Sequence, residues 1–225
     1  MGAGSVTSPA TDYSRELLAE YFNQLKALNS PPGTSYLYSN LGSGLLGIAL
    51  ADATQSANYG ELLETYFSGP LSLKRTGLNR EPFLASVGEN ISKGYGGPQG
   101  DIEVGPANMG VLAGAGEILS TGEDMAEYVR VLVGLRPFAT GNTVERTLKK
   151  RAAGEGSMSI GYGWNIQEAP KAMWAKTGLT YGFTALVAFQ REPKVGVAIL
   201  SNRGGHKALL QLSQKLLDAL ALTSL

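Results

Sequence analysis

The sequence predicts an α+β fold, in which a helical region precedes an antiparallel β-sheet that a C-terminal helix covers. Two observations predict it. Apolar residues recur at helical spacing through the first two thirds of the chain, whereas the last third contains short runs rich in aromatic and β-branched residues. The 225 residues, 43% of them hydrophobic, are also enough to build one substantial core. We therefore expect one compact unit, made of a flexible segment 1–13, a mainly helical region 14–158, and the sheet with its helix at 159–225.

The helical region contains four helix signals. Ser14 is a candidate N-cap before apolar residues at helical spacing, and Ser30-Pro31-Pro32-Gly33 ends that stretch. The stretch 40–53 is apolar almost all round, which is typical of a buried helix. A third helix is expected at 59–67, before Gly-Pro, and Ser120-Thr121-Gly122-Glu123 is a capping box for a fourth.

The C-terminal third predicts strands at 160–167, 172–176, 183–190 and 195–201. Glu192-Pro193-Lys194 joins the last two as a hairpin, and 207–222 forms an amphipathic helix. The stretch 86–107, rich in Gly and Pro, predicts a long irregular loop that borders a cleft, and 136–159 is expected to be a further polar stretch.

Composition excludes several classes of function. The 19 basic and 19 acidic side chains cancel, so the chain has no excess of positive charge for nucleic acid. It contains no Cys and one His, which excludes disulfides, thiolate chemistry and a multi-His metal site. The longest apolar stretch, 41–53, is shorter than the roughly 20 residues of a membrane span, and the N-terminus lacks signal-peptide features. We expect no metal, no cofactor, no nucleic acid and no membrane span.

Two short motifs can carry chemistry without His or Cys. The first, Pro32-Gly33-Thr34-Ser35-Tyr36-Leu37-Tyr38-Ser39-Asn40, leads into the helix at 40–53, and the second, Lys176-Thr177-Gly178, ends a strand. A phenol and an ammonium brought together form an acid–base pair, because the ammonium favours the phenolate. Asn40 can offer an amide to a substrate carbonyl, and Gly178 lets a substrate lie against the strand edge.

These motifs resemble those of the serine β-lactamase and penicillin-binding protein family, in particular class C β-lactamases and their esterase and D-Ala carboxypeptidase relatives. Tyr38-Ser39-Asn40 is similar to the family's Tyr-x-Asn motif, and Lys176-Thr177-Gly178 to its Lys-Thr-Gly motif. The stretches 114–125, 159–164 and 200–202 also resemble family sequences, in the family's order. The resemblance covers the chain from about Asp12 to its end.

The resemblance implies acyl transfer from a β-lactam, an ester or a peptidoglycan peptide to a nucleophilic Ser. It implies that Tyr38 is the general base or proton relay, and that Lys176 supports the phenolate and attracts the substrate carboxylate. Asn40 would contact the substrate amide and Thr177 its carboxylate, while the N–H of Leu179 would supply half of the oxyanion hole. The family also suggests a periplasmic or secreted protein.

The family's Ser-x-x-Lys nucleophile motif is missing before Tyr38. Gly4-Ser5-Val6-Thr7 resembles the start of one version of it, but Ser8 stands in the place of Lys. We therefore expect a chain without the N-terminal third of the family fold, which normally carries the nucleophile helix and two strands. The alternative to a working hydrolase is an impaired or inactive remnant that binds ligands. A sheet without those strands has an unpaired edge, which predicts self-association, a complementing fragment or a rearranged sheet.

Overall fold

The computed structural model describes residues 13–88, 90–138 and 141–223, which form helices around an antiparallel sheet. The helices are α1 (Arg15–Gln24), α2 (Asn40–Ala53), α3 (Tyr59–Leu63), α4 (Gly69–Leu71), α5 (Phe83–Val87), α6 (Gly122–Leu132), α7 (Thr143–Leu148) and α8 (His206–Thr223). A π-helical turn (Glu64–Ser68) joins α3 to α4, and a 3₁₀ helix spans Gly110–Ala115. Apart from Tyr13, the predicted flexible segment 1–13, with Ser5, lies outside the described residues.

The strands form one large sheet and two small ribbons. They are β1 (Gly77–Leu78), β2 (Gly94–Gly96), β3 (Ile102–Val104), β4 (Ile118–Leu119), β5 (Ala152–Ala153), β6 (Ser159–Ile160), β7 (Asn165–Gln167), β8 (Met173–Thr180), β9 (Phe183–Gln190) and β10 (Val195–Ser201). The large sheet has the order β10-β9-β8-β7-β6-β5, with every neighbouring pair antiparallel. The predicted α+β class, a helical region and an antiparallel sheet with a C-terminal helix, is confirmed.

Side-chain caps explain where α1, α2 and α6 begin. Ser14 accepts a hydrogen bond from the N–H of Leu17, which starts α1 at the predicted position. Ser39 accepts from the N–H of Gly42 at 2.9 Å and starts α2, and Thr121 caps α6 in the same way. Each cap satisfies an N–H that lacks a partner inside its helix.

The large sheet has a core on each face. On one face, α6 and α7 pack against the sheet, and buried Phe189 contacts the rings of both tryptophans, edge-on with Trp164 and stacked with Trp174. On the other face, α8 inserts Leu217 between residues of β8, β9 and β10. The first core contains residues of both predicted regions, because α6 and α7 contribute to it together with the sheet.

Helix α2 differs from the prediction that it is buried all round. One face is buried through Gly44, Gly47 and Ala51, but Leu46 and Leu50 on the other side are about half exposed. The glycines lack side chains, so this face of α2 can lie directly against the 3₁₀ helix. A Cβ on Gly44 would lie only 2.6 Å from the Leu112 side chain of that helix. The exposed face has no covering element among the described residues.

Some boundaries also differ from the prediction. The third helix continues past Phe67 through the π-helical turn into α4, with Pro70 in the first turn of α4, where its missing N–H is tolerated. The predicted loop 86–107 contains the hairpin β2–β3, the polar stretch 136–159 contains α7, and the predicted strand 160–167 is divided into β6 and β7. Strands β9 and β10 have the predicted bounds, whereas β8 extends four residues beyond the predicted end at Lys176, to Thr180.

Strand β10 lies at one edge of the large sheet and pairs with β9 alone among the described strands. The opposite edge strand, β5, is only two residues long. No helix in the described part of the chain is long and apolar enough to cross a membrane.

Candidate active site

Tyr38 stands directly before the N-cap of α2. The chain reaches it through the turn at Pro31–Thr34, which the hydrogen bond from the N–H of Thr34 to the carbonyl of Pro31 closes. Gly33 in this turn has a φ of +82°, a conformation that other residues rarely adopt. The Tyr38 side chain is 58% exposed, so it faces open space rather than the core.

Lys176 lies in the middle of β8, where the strand alternation fixes its direction. Trp174 stacks on Phe189 on the face that α6 covers, whereas Ala175 packs in the core under α8. Because side chains alternate along a strand, Lys176 emerges on the Trp174 face, toward the helical region. This direction brings it to the start of α2.

The structure brings Tyr38 and Lys176 together from distant parts of the chain. The Nζ atom of Lys176 lies 4.9 Å from the centroid of the Tyr38 ring, within the range of a cation–π contact. Burial lowers the pKa of Lys176 below its ordinary value, because the partly dry site disfavours the charged ammonium. The pair therefore combines an exposed phenol with an amine that releases its proton more readily than a solvated lysine.

The other predicted site residues lie around this pair with different orientations. Asn40, in the first turn of α2, is exposed, and no side-chain hydrogen bond is seen for it within the described residues. Gly178 and Leu179 are exposed toward the end of β8. Thr177 is opposite Leu186, whose side chain lies in the core under α8, so alternation directs Thr177 to the face away from Lys176.

The strand that carries these residues has a free edge beside the site. Strand β7 pairs with β8 only from Met173 to Ala175. From Lys176 to Thr180, β8 pairs with β9 on one side, and no described strand pairs with the other. Such an edge can bind an extended chain through backbone hydrogen bonds.

The hairpin β2–β3 closes the end of this region. The N–H of Tyr95 donates to the carbonyls of Gly182 and Asn202, at 3.2 and 2.9 Å. Gly182 permits this approach, because a Cβ there would lie 2.6 Å from the nitrogen of Tyr95. The guanidinium of Arg203 donates to the carbonyl of Gln99 and fixes the loop of the hairpin. The predicted loop beside the cleft is thus held at several points.

A buried ion pair supports the segment on which α2 packs, and the sequence reasoning missed it. Glu117 is fully buried and accepts two hydrogen bonds from Arg80, each 2.6 Å, and one from the N–H of Met109 at 2.8 Å. Arg80 also donates to the carbonyl of Gly110, at the start of the 3₁₀ helix. No local pattern indicates this pair, because its members are 37 residues apart in the sequence.

The nucleophile that the resemblance implies has no counterpart motif anywhere in the chain. No Ser is followed three residues later by Lys from residue 1 to 225. Ser39, next to Tyr38, is engaged as the cap of α2, and Ser35 shares a hydrogen bond with Ser30 at 2.8 Å. In the described ranges, no group of three His, Cys, Asp or Glu side chains has the arrangement of a metal site.

The chain is similar to known proteins in both sequence and fold. The sequence model of the family described as Beta-lactamase matches residues 2–221. The chain is 28% identical to the β-lactamase of Escherichia coli strain K12, over 92% of this chain and 62% of that protein. It therefore spans less than two thirds of that relative's length.

Two solved structures share the fold. A class C β-lactamase superposes with a TM-score of 0.81 at 23% identity, over 97% of this chain and 68% of that one. The β-lactamase/D-alanine carboxypeptidase of Pseudomonas syringae superposes with a TM-score of 0.74 at 22% identity, over 87% of this chain and 62% of that one.

Proposed function

The chain belongs to the beta-lactamase family, and from this membership we propose that it acts as a serine hydrolase of the β-lactamase and penicillin-binding type. The proposed reaction is acyl transfer from a β-lactam, an ester or a peptidoglycan peptide to a serine, followed by hydrolysis. The observation that carries the proposal is the contact between Tyr38 and Lys176, whose Nζ lies 4.9 Å from the ring centroid. It joins the two motifs that the family uses for proton transfer.

In the proposed mechanism, Tyr38 moves the proton of the nucleophile. Its oxygen accepts the proton when a serine oxygen attacks the carbonyl carbon, and it returns the proton to the leaving group. The exposure of Tyr38 leaves its hydroxyl accessible to a substrate and to a nucleophile. The positive charge of Lys176 stabilises the phenolate and attracts the carboxylate of the substrate.

The end of β8 provides the binding groups. The free edge from Lys176 to Thr180 accommodates the substrate backbone, and the N–H of Leu179 donates to the developing oxyanion. Asn40 donates to the substrate amide from the start of α2. The resemblance also assigns the substrate carboxylate to Thr177, but the Thr177 side chain lies on the face of β8 opposite that of Lys176, so the proposal places carboxylate binding on Lys176.

A second candidate function is a ligand-binding protein that lacks hydrolytic turnover. The observation in its favour is the absence of Ser-x-x-Lys in the chain. Such a protein would keep the binding groups of β8 and α2 and would bind β-lactams or peptides without forming an acyl-enzyme. The nucleophile therefore distinguishes the two candidates.

Covalent labelling tests the two candidates directly. The protein is incubated with a fluorescent penicillin and, separately, with a fluorophosphonate ester, and the intact mass is measured. A stoichiometric adduct that maps to one serine supports the hydrolase. Absence of an adduct, together with no turnover of a chromogenic cephalosporin or a p-nitrophenyl ester, contradicts it and leaves the binding protein.

Tyr38→Phe tests the proposed proton relay. The change removes one hydroxyl, and loss of a general acid–base group lowers turnover by about 10²–10⁴-fold. Tyr36→Phe is the matched control, since Tyr36 lies in the same segment and is also exposed, and we expect its turnover to be unchanged. Equal turnover of Tyr38→Phe and the wild type would show that Tyr38 has another role.

Two kinds of partner belong to this proposal. The first is a small acyl donor at the end of β8. The second is another polypeptide at the open edge of the large sheet, where β10 pairs only with β9 among the described strands.

A further inference from the structure

We propose that Arg80 and Glu117 are positioning residues for the pair formed by Tyr38 and Lys176. Their ion pair closes residues 106–117, here called the bridging loop, between α2 and β8, and the position of this loop sets the distance from the phenol to the amine. The inference rests on the proposed function for its catalytic meaning, but the contact on which it depends can be measured without turnover.

Both ends of the bridging loop are held by the two residues that follow β1. At the first end, the side chain of Asn79 donates to the carbonyl of Pro106 at 3.0 Å. At the last end, Arg80 donates two hydrogen bonds of 2.6 Å to the carboxylate of Glu117. Since β1 and β4 pair over two residues each, these side chains, rather than a long ladder, fix the ends of the loop.

The same ion pair also reaches the middle of the bridging loop. Glu117 is fully buried and accepts a hydrogen bond from the N–H of Met109 at 2.8 Å. Arg80 donates in addition to the carbonyl of Gly110, the first residue of the 3₁₀ helix. A guanidinium suits this task, because its planar fork of donors can bind a carboxylate and a carbonyl together. One ion pair thus joins the last residue of the loop to the start of the 3₁₀ helix.

The 3₁₀ helix of the bridging loop carries α2. A Cβ on Gly44 would lie 2.6 Å from the side chain of Leu112, and a Cβ on Gly114 would lie 2.9 Å from the carbonyl oxygen of Ser43. Such close packing leaves no room for one helix to move without the other. Tyr38 lies two residues before the start of α2, so the phenol follows the position of this helix.

The end of the bridging loop lies against β8. A Cβ on Gly116, directly before Glu117, would lie 3.9 Å from Cγ2 of Thr180. Because side chains alternate along a strand, Thr180 and Lys176, four residues apart in β8, emerge on the same face. The loop therefore contacts both elements of the site, namely α2 and the face of β8 that carries Lys176.

Arg80→Lys separates the position of the bridging loop from its charge. A lysine keeps a positive charge beside Glu117, but a single ammonium replaces the fork that holds the carboxylate and the carbonyl of Gly110 together. We expect the loop to shift and the ring of Tyr38 to move away from Lys176.

Arg136→Lys is the matched control. Arg136 donates to the carboxylate of Glu127 at 2.7 Å and to the carbonyl of Leu71 at 2.9 Å, so it has the same kinds of partner as Arg80. None of these three residues belongs to the bridging loop. We expect the same substitution there to leave the contact between Tyr38 and Lys176 intact.

NMR spectroscopy of protein that contains ¹³C-labelled lysine measures this contact. The Nζ atom of Lys176 lies 4.9 Å from the centroid of the Tyr38 ring, so the ring current displaces the signal of the adjoining Cε methylene group. Lys176→Arg assigns the signal by its disappearance, and Tyr38→Leu gives its position without the ring. We expect Arg80→Lys to move the signal most of the way to that position, and Arg136→Lys to leave it where the wild type has it.

Three results overturn the proposal. The first is an unchanged signal in Arg80→Lys. The second is an equal shift in Arg136→Lys, which would show a general loosening of the fold. The third is a wild-type signal that Tyr38→Leu does not move, because the contact would then be absent.

Far-UV circular dichroism confirms that each variant is folded. If Arg80→Lys does not fold, the double variant Arg80→Met with Glu117→Leu takes its place. It leaves no buried charge, and such apolar replacement of a buried ion pair often preserves stability, but it removes the hydrogen bonds to the bridging loop. We expect the same shift of the Lys176 signal, and an unchanged signal in the folded double variant overturns the proposal.

Turnover of a p-nitrophenyl ester provides a second readout. A misplacement of about 1 Å can lower the rate by about 10²-fold, so we expect Arg80→Lys to lower kcat by about 10–100-fold with KM nearly unchanged. An unchanged kcat in a variant whose NMR signal has moved overturns the catalytic part of the proposal. Absence of turnover in the wild type contradicts the proposed hydrolase, whereas the NMR signal decides by itself whether Arg80 and Glu117 position the pair.

Discussion

At the scale of the residue, Lys176 has the environment that most affects its chemistry. Its ammonium lies over the Tyr38 ring on the partly buried face of β8, and burial lowers its pKa. Glu117 shows the opposite arrangement, a fully buried carboxylate that two hydrogen bonds from Arg80 compensate. Among the described residues no carboxylate forms an ion pair with Lys176, so its amine can exchange protons near the site. Glu117, by contrast, is paired with Arg80, and this pair holds the segment beneath α2 in place.

The lowered pKa of Lys176 predicts a pH dependence of stability. The unfolded chain holds this proton up to the ordinary lysine pKa of about 10.4, whereas the folded protein releases it at a lower pH. Between these two pH values the unfolded state binds more protons, so the free energy of unfolding contributed by Lys176 rises with pH. At pH values below the folded-state pKa, Lys176 is charged in both states, and the folded state carries the whole free-energy cost of burying the ammonium.

Urea unfolding at pH 7.5 and pH 10 checks this prediction. We expect the free energy of unfolding of the wild type, relative to that of Lys176→Met, to be greater at pH 10. Lys176→Arg should show no such gain relative to Lys176→Met, since arginine keeps its proton throughout this range. A wild-type difference that is the same at both pH values would contradict the lowered pKa.

At the scale of the element, α2 is positioned by contact between glycines rather than by large side chains. Gly47 and Gly114 approach so closely that a Cβ on either would lie 3.2 Å from the other's Cα. This contact lets α2 lie directly on the 3₁₀ helix, and the N-terminus of α2 then carries Tyr38 toward β8. The position of the site therefore depends on the absence of side chains at these positions.

Gly44→Ala tests this packing. Alanine is about 1 kcal/mol better than glycine inside a helix, but its Cβ would lie 2.6 Å from one carbon of Leu112 and 2.9 Å from another. We expect a net destabilisation of about 1–3 kcal/mol, which is typical of overpacking. Gly42→Ala is the control, because its Cβ would have only ordinary contacts at 3.4 Å with Ser39, and it should be neutral or stabilising. Thermal and urea unfolding measure both, and a stabilising Gly44→Ala would refute the close packing.

At the scale of the whole molecule, one aromatic cluster connects the helical region to the sheet. Phe189 is fully buried between Trp164 and Trp174, and the same core includes Val129 and Leu132 of α6. A shared core means that neither region keeps its buried surface when the other unfolds. The two regions should therefore unfold together.

Phe189→Ala tests this cooperativity. Removing a buried phenylalanine costs about 3–5 kcal/mol. We expect tryptophan fluorescence and far-UV circular dichroism to give one coincident urea transition in both the wild type and the variant, shifted to lower urea in the variant. Separate transitions for the two probes would indicate two independently folding regions.

The sequence alone determined the elements whose signals are local. Helix α2 and strands β9 and β10 have the predicted bounds, because a cap, or a short run rich in aromatic and β-branched residues, marks each of them locally in the sequence. The motifs of Tyr38 and Lys176 were also visible in the sequence, since each is contiguous.

Only the tertiary structure decided how those pieces meet. Three features depend on residues that lie far apart in the chain. They are the distance between Tyr38 and Lys176, the ion pair of Arg80 with Glu117, and the exposure of Leu46. The physical reason is that burial and charge are properties of the surroundings, which arise when the sheet and the helices pack. A run of apolar residues such as 40–53 predicts a helix, but which of its faces is covered depends on the elements that pack against it.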